Sequence, residues 1–163
     1  MKLSFRIKHF LFSAFRELFV HNHGSLEFRA KIFALVISAN EDSTVESYIQ
    51  VKIIGRGIYK NDMERVDLLM LSTKELVQKV KDNNGLTIDT LITTIQKDLK
   101  YVPRYAKKID IEPLRSIISL SYDEDTIDYQ NNILEFLQTL KDETLNNKKS
   151  QIEKDEKSLG SKY

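Results

Sequence analysis

Leu35-Val-Ile-Ser-Ala-Asn-Glu-Asp-Ser43 decides the fold, because the chain repeats its pattern as Ile118-Ser-Leu-Ser-Tyr-Asp-Glu-Asp-Thr126. In each copy an apolar stretch ends in acidic residues, and a hydroxyl residue follows that is predicted to cap the next helix. The first following helix is expected to bury Val51, Ile53 and Ile54, and the second Leu134, Phe136 and Leu137. The aligned positions share chemistry: Ser38 with Ser121, Asn40 with Asp123, Glu41 with Glu124, Asp42 with Asp125, and Ser43 with Thr126.

This repeat predicts two related helical hairpins, which together form a bundle of four core helices with the remaining helices around it. Apolar periodicity predicts seven helices in total. A capping box at Ser43-Thr-Val-Glu46 opens the third helix, and Pro103 ends the fifth, because the residue before a proline avoids helical backbone angles. The helices are expected at about residues 4–21, 25–40, 43–57, 61–81, 87–102, 113–122 and 126–140. The sequence therefore predicts an all-α fold.

Residues 1–24 are predicted to form an amphipathic helix. Its apolar stripe consists of phenylalanines at helical spacing, namely Phe5, Phe12, Phe15 and Phe19. The stripe is expected to pack on the rest of the domain. The alternative is a peripheral contact of residues 1–20 with an anionic membrane, which Lys2, Arg6 and Lys8 would favour. The chain is therefore expected in the cytoplasm, with the inner face of the membrane as the alternative location.

Residues 25–140 form the predicted helical domain, and residues 141–163 differ from it in composition. Nearly half of this last segment is charged, with both signs mixed. It is predicted to be a frayed helix extension or a mobile tail, because it offers too little apolar surface to offset the loss of chain entropy. Leu145, Ile152 and Leu159 lie seven residues apart, so a docking helix is the alternative.

The overall composition excludes several classes of site. The 163 residues include 25 Lys and Arg against 24 Asp and Glu, and this net charge of +1 gives no global attraction to nucleic acid. Because cysteine is absent, the chain has no disulfide framework, zinc ribbon, iron–sulfur cluster or thiolate nucleophile. The sequence contains neither a nucleophile elbow nor a phosphate-binding loop, so the chain is predicted not to be an enzyme.

The acidic residues of the two predicted turns are the candidate metal ligands. They are Glu41, Asp42 and Glu46 in the first turn and Asp123, Asp125 and Asp128 in the second. Carboxylate oxygens are the ligands that Ca²⁺ and Mg²⁺ prefer, and a bound cation would relieve the repulsion between neighbouring carboxylates. The competing interpretation is a set of solvated helix caps, because the helix dipole favours acids at an N-terminus without any metal.

Two further groups of polar residues have a functional and a structural interpretation. His21 and His23 are candidates for metal binding or pH sensing, but a turn between the first two helices is the preferred interpretation. A basic stretch has the mixture that binds phosphate or bases, and it consists of Lys97, Lys100, Tyr101, Arg104, Tyr105, Lys107 and Lys108. A helix C-terminus followed by a solvated loop is the preferred interpretation, and nucleic acid is not predicted as a partner.

The repeated unit of helix, acidic turn and helix, over about residues 25–140, resembles the TerB domain of tellurite-resistance proteins, which also occurs in DnaJ-type co-chaperones. In that family each turn carries a pattern near Ala-Asp-Gly-x-Ile, with an acidic residue some four positions on. This chain offers Ala39-Asn40-Glu41-Asp42 with Glu46, and Asp123-Glu124-Asp125-Thr126-Ile127-Asp128. The glycine is missing in both copies, and only the second copy keeps the isoleucine, as Ile127.

The resemblance implies a helical module without catalytic activity, belonging to stress-response or envelope-associated systems and binding a divalent cation at its acidic turns. A protein partner is expected. The alternative function is a metal-free interaction adaptor, similar to a co-chaperone, that acts through the first helix or through residues 141–163.

Overall fold

The structure is a computed structural model that describes residues 24–161. This range contains helices and no strands, which confirms the predicted all-α fold for it. The predicted first helix, residues 4–21, lies outside the described residues. The observed elements are α1 (Gly24–Ser38), α2 (Val45–Tyr59), α3 (Met63–Lys81), α4 (Ile88–Tyr101), a 3₁₀ helix (Pro103–Lys108), α5 (Ile111–Ile118) and α6 (Glu124–Gly160).

Helix α1 is the centre of the core. From Ile32 onward its sequence is apolar on every side, and the helix packs against α3, α4, α5, α6 and the 3₁₀ helix. Its buried apolar residues are Leu26, Phe28, Ala30, Ile32, Phe33, Ala34, Leu35, Val36 and Ile37.

Helix α3 organises the other half of the bundle. Both α1 and α2 make their most extensive contacts with α3, and α5 packs on α6. The Lys81 ammonium at the end of α3 donates to the Ser43 carbonyl just before α2, as expected for antiparallel neighbours. The first predicted hairpin, α1 with α2, is thus held together mainly through a third helix. The repeat is visible in the sequence, but the structure does not confirm it as a packing unit.

The capping box predicted at Ser43 is absent, and the N-cap lies one residue later. Helix α2 has Thr44 as its N-cap, and the Ser43 hydroxyl is buried without a hydrogen-bond partner in the described structure. A turn bond from the Ser43 N–H to the Asn40 carbonyl, 3.1 Å long, delays the start of the helix. Glu46 is then the second helical residue, whereas the reciprocal bond of a capping box requires an acid at the third.

The predicted cap of α6 is also displaced. Asp123, not Thr126, is the N-cap, and its carboxylate accepts from the Thr126 N–H at 2.9 Å. Aspartate is among the preferred N-caps, and its carboxylate reaches the third helical N–H, so the N-cap lies three residues earlier than expected. Thr87 caps α4, with Thr90 completing a capping box.

Helix α6 continues well beyond the predicted core. Leu140 and Leu145 still pack against the core, and the Lys141 ammonium donates to the Ile109 carbonyl at 2.7 Å. Residues 146–160 remain helical, and every one of them is exposed. We call residues 146–160 the α6 arm. The mobility expected for residues 141–163 stays a prediction, although the segment is helical to Gly160.

Candidate functional site

A buried hydrogen-bond network joins the two predicted acidic turns. The Asn40 amide donates to the Ser121 hydroxyl at 3.1 Å, and that hydroxyl donates to the Gln130 side-chain carbonyl at 2.7 Å. The Gln130 amide in turn donates to the Val36 carbonyl at 2.9 Å. Gln130 is only 1% exposed. The turn after α1 therefore lies next to the turn before α6.

This network satisfies a helix end. The last four carbonyls of a helix have no partner within it, and the Val36 carbonyl belongs to this group in α1. Gln130, in α6, supplies the missing donor. A buried carbonyl left without a donor would lower the stability of the protein. The sequence contains one signal of this arrangement, because Gln130 lies at helical spacing from Ile127 and Ile133, but its partner Val36 is distant along the chain.

The acids of the first turn are exposed. Asp42 contributes its backbone N–H to the Asn40 side-chain carbonyl at 3.0 Å, which closes a local turn. Glu46 accepts a hydrogen bond from the Thr44 hydroxyl, and this bond, with a smaller contribution from a backbone N–H, holds the pKa of Glu46 below its usual value. Glu41 and Asp42 have exposed carboxylates.

The acids of the second turn begin helix α6. Hydrogen bonds from the Thr126 backbone N–H and then from its hydroxyl lower the pKa of Asp123. Asp125 and Asp128 are exposed on the first turns of the helix. Because Asp123 already accepts two hydrogen bonds, part of the acidic pattern is accounted for by helix capping.

The six candidate metal ligands do not form a preformed site. Among residues 24–161, no three His, Asp or Glu side chains come close enough together to hold an ion. The Asn40–Ser121 bond brings the two turns together, but their carboxylates point to solvent instead of converging. Binding of Ca²⁺ or Mg²⁺ at Glu41, Asp42, Glu46, Asp123, Asp125 and Asp128 stays a prediction.

The basic stretch lies at the end of α4 and along the 3₁₀ helix. Asp98 lies within it but pairs with Lys31 of α1 at 2.6 Å, which ties α4 to the central helix. Tyr105 stacks on Phe28 with ring centroids 5.2 Å apart, so it belongs to the core, whereas Tyr101 is exposed. An open cleft of about 380 Å³ is lined by Gly24, Ser25, Arg104, Tyr105, Lys107 and Lys108.

The outer face of α2 was not anticipated. Ile53 was expected to be buried but is 53% exposed, whereas Val51 is buried as predicted and Ile54 is half-buried. The inner side of α2 consists of small residues, with Ser47, Val51 and Gly55 buried against the bundle. The narrow inner side leaves the larger aliphatic residues facing outward. A spacing of four residues between Val45, Ile49 and Ile53 was the available signal.

His21, His23 and the aromatic stripe of residues 1–20 lie outside the described residues. In the part of the chain that the structure covers, no helix combines the length and hydropathy needed to cross a membrane.

Comparison of the chain with protein-family models, with curated proteins and with solved structures gave no match. The TerB assignment therefore rests on the residues of the two turns alone and stays a prediction.

Proposed function

We propose that this chain is a non-catalytic, TerB-like helical module of stress-response or envelope-associated complexes, and that it acts by binding a protein partner. One observation carries the proposal: the α6 arm extends from the bundle with all its residues exposed. The first turns of the arm face the end of α4 across an open cleft of about 500 Å³. A protein partner can therefore contact both the arm and the bundle.

The lining of this cleft has the chemistry of a protein contact surface. Leu99, Pro103, Leu140 and Ile152 supply apolar area, and Lys100, Glu143 and Lys148 supply charge at its edge. Apolar centres with polar rims are typical of protein interfaces. Ile152 is about half exposed. A partner helix or loop in the cleft would bury this side chain.

Site-specific photo-crosslinking in the cells that naturally produce the protein tests the proposal. A photo-reactive residue replaces Ile152 in one variant and Glu153 in a second variant. Position 153 is exposed but directs the probe away from the cleft, so it is the control. We expect a discrete crosslinked protein from position 152 and much less of it from position 153. The double substitution Ile152→Ser/Leu159→Ser should lower the yield from a probe at Lys148.

A matched variant, Asn146→Ser/Glu153→Gln, also changes two exposed arm residues seven positions apart and should leave that yield unchanged. We expect a strain that lacks the protein to grow poorly under tellurite or oxidant. The control variant should restore its growth, and Ile152→Ser/Leu159→Ser should not. Equal restoration by both variants, with no crosslink at position 152, would exclude the arm as the contact surface.

A cation site at the acidic turns is the second candidate function. The observation that favours it is the 3.1 Å bond from Asn40 to Ser121, which makes the two acidic turns neighbours. A cation that draws in exposed carboxylates from both turns would stabilise the native state, since only the folded chain brings the turns together.

Calorimetric titration of the metal-stripped protein with Ca²⁺, Mg²⁺ and Mn²⁺ tests this candidate. Saturable heat and a higher Tm are expected for the natural chain, and both should be lost in Glu41→Gln/Asp42→Asn and in Asp125→Asn/Asp128→Asn. Asp142→Asn/Glu143→Gln removes two exposed charges elsewhere on α6 and serves as the control. Flat titrations at millimolar ion would leave helix capping as the role of these acids.

A further inference from the structure

Helix α2 presents an apolar face directly opposite the side that packs on the bundle. Val45, Ile49 and Ile53 lie four residues apart, so they share one face, and they are 68%, 52% and 53% exposed. The opposite face, with Ser47, Val51 and Gly55, is buried. These three neighbouring aliphatic side chains have half or more of their surface in water. The outer face of a bundle helix normally carries polar residues, so an exposed aliphatic group of this kind indicates a contact surface.

The charges on this outer face are arranged symmetrically along the helix. Glu46 lies in its first turn and Arg56 in its last, and both are exposed. Within residues 24–161, neither side chain forms an ion pair. Helical geometry places Arg56 within the sector of Val45, Ile49 and Ile53, and it places Glu46 just beside that sector, next to Ile53. The face thus has an acid at one end, a base at the other and aliphatic residues between them.

We propose that the outer face of α2 binds the same face of a second copy of this chain, with the two α2 helices antiparallel about a two-fold axis. Ile49 of one copy then lies opposite Ile53 of the other. The same axis places Glu46 opposite Arg56, twice. The surface is therefore self-complementary, as a two-fold interface requires. This inference stands independently of the proposed function.

The remaining residues of the face fit the same arrangement. Val45 of one copy lies level with Gly57 of the other along the helix axis, and Gly57 is exposed with open space where a side chain would be. No bulky side chain at this end of the helix therefore keeps the two copies apart. The chain carries a net charge of only +1, so two copies do not repel each other strongly.

The size of the face determines how tight the dimer is. A helix of 15 residues is about 22 Å long, and one pair of such helices buries less than the roughly 1,200–2,000 Å² of a stable interface. We therefore expect reversible dimerisation with a Kd on the order of 10 µM or weaker. The dimer should be populated only in concentrated solution or in a shared complex.

Sedimentation velocity of the full chain across a wide concentration series is the first test. A concentration-dependent shift from monomer to dimer is expected. Ile49→Glu should raise the Kd by about tenfold or more, because each copy would place a carboxylate against Ile53 of the other. Leu71→Glu changes an exposed aliphatic residue on α3 and should leave the Kd unchanged. Circular dichroism confirms that each variant is folded.

Charge exchange tests the antiparallel orientation. Glu46→Arg alone and Arg56→Glu alone should each weaken dimerisation, because each places like charges opposite each other. An equal mixture of these two variants should associate more strongly than either alone, since every facing pair is then opposite in charge. The matched exchange at an exposed pair on α5, Glu112→Arg or Arg115→Glu, should have no effect.

Introduced cysteines give a second readout, because the chain has none of its own. Mild oxidation should link Ile49→Cys to Ile53→Cys in a mixture of the two variants. Val45→Cys alone should not be linked, because the two copies of residue 45 lie about 18 Å apart in this arrangement. A chain that stays monomeric at all concentrations overturns the proposal, as does a dimer that Ile49→Glu leaves unchanged or that Val45→Cys links efficiently.

Discussion

At the scale of single residues, Gln130 is buried at a position of α6 where the helical pattern predicts an apolar residue. Gln130 accepts from Ser121 and donates to the Val36 carbonyl, so it connects α6 to the end of the central helix. A buried polar group of this kind costs stability unless all its bonds are made. It also fixes the register of α6 against α1, because only one sliding position satisfies both hydrogen bonds.

Gln130→Leu should therefore destabilise the protein although it makes the core more apolar. We expect a loss of about 1–3 kcal/mol, because the Val36 carbonyl and the Ser121 hydroxyl lose their partner. For a chain of this size, that loss lowers the Tm by about 3–9 °C in thermal unfolding. Gln138→Leu, at an exposed position of the same helix, should stay within about 0.5 kcal/mol of the natural chain. Equal stabilities for the two variants would show that the network is dispensable.

Asp123 gives the stability a defined pH dependence. Hydrogen bonds from Thr126 lower its pKa in the folded state, whereas an unfolded aspartate titrates near pH 3.9. Its contribution is therefore complete above that value and is lost as the pH falls through the lowered folded pKa. Asp123→Asn keeps an acceptor at the N-cap but cannot titrate.

We expect the Tm of Asp123→Asn to lie below that of the natural chain between pH 5 and pH 7, and the difference to shrink as the pH falls through the lowered folded pKa of Asp123. Asp125→Asn, an exposed acid in the same helical turn, controls for the helix dipole and should show a smaller difference. A difference for Asp123→Asn that persists unchanged to pH 2 would contradict the assigned hydrogen bonds.

At the scale of elements, two glycines of α2 differ in what surrounds them. A side chain at Gly55 would meet Leu69 at 3.4 Å and Val66 at 3.5 Å, because this glycine lies where α2 packs on α3. A side chain at Gly57 would meet nothing within 4 Å. Both glycines weaken the helix, but only Gly55 has a packing reason.

Gly57→Ala should therefore stabilise the protein by about 0.5–1 kcal/mol, because alanine loses less backbone entropy in a helix. Gly55→Val should destabilise it by about 1–3 kcal/mol, because its added methyl groups overpack the contact with Leu69 and Val66. Urea unfolding of dilute, monomeric protein measures both effects. The prediction fails if Gly55→Val is tolerated as well as Gly57→Ala.

Helix locations could be predicted from the sequence because apolar spacing, Pro103 and the Thr87 cap are local signals. The N-caps Thr44 and Asp123 could not be predicted, because several adjacent hydroxyl and acidic residues are chemically acceptable caps. The hydrogen bonds of the turns determine which of them caps the helix. The outward position of Ile53 was missed for a different reason. Small residues at Ser47 and Gly55 let α2 approach α3 closely, and this shifts the packed face away from the largest side chains.

At the scale of the whole molecule, the chain separates into a packed bundle and an exposed arm. Burial along α6 ends near Leu145, where the side chain still contacts the core, and the following residues are all exposed. For the six candidate ligands, the sequence predicts what is local and the tertiary fold determines the rest. Their clustering within each turn is visible in the sequence, and the proximity of the two turns depends on the Asn40–Ser121 contact.

Removal of residues 146–163 should leave the bundle intact. All residues of the arm are exposed, so the Tm should change by less than about 2 °C and unfolding should stay cooperative. The far-ultraviolet circular dichroism should lose the helical signal of about 15 residues, because the whole arm is helical in the structure. Removal from residue 134 onward is the matched deletion that takes core residues, and it should abolish cooperative unfolding, since Leu134 and Leu137 are buried. A large fall in Tm on removing only the arm would mean that the arm packs on the bundle in solution, and the cleft beside α4 would then be an internal contact instead of a surface for a partner.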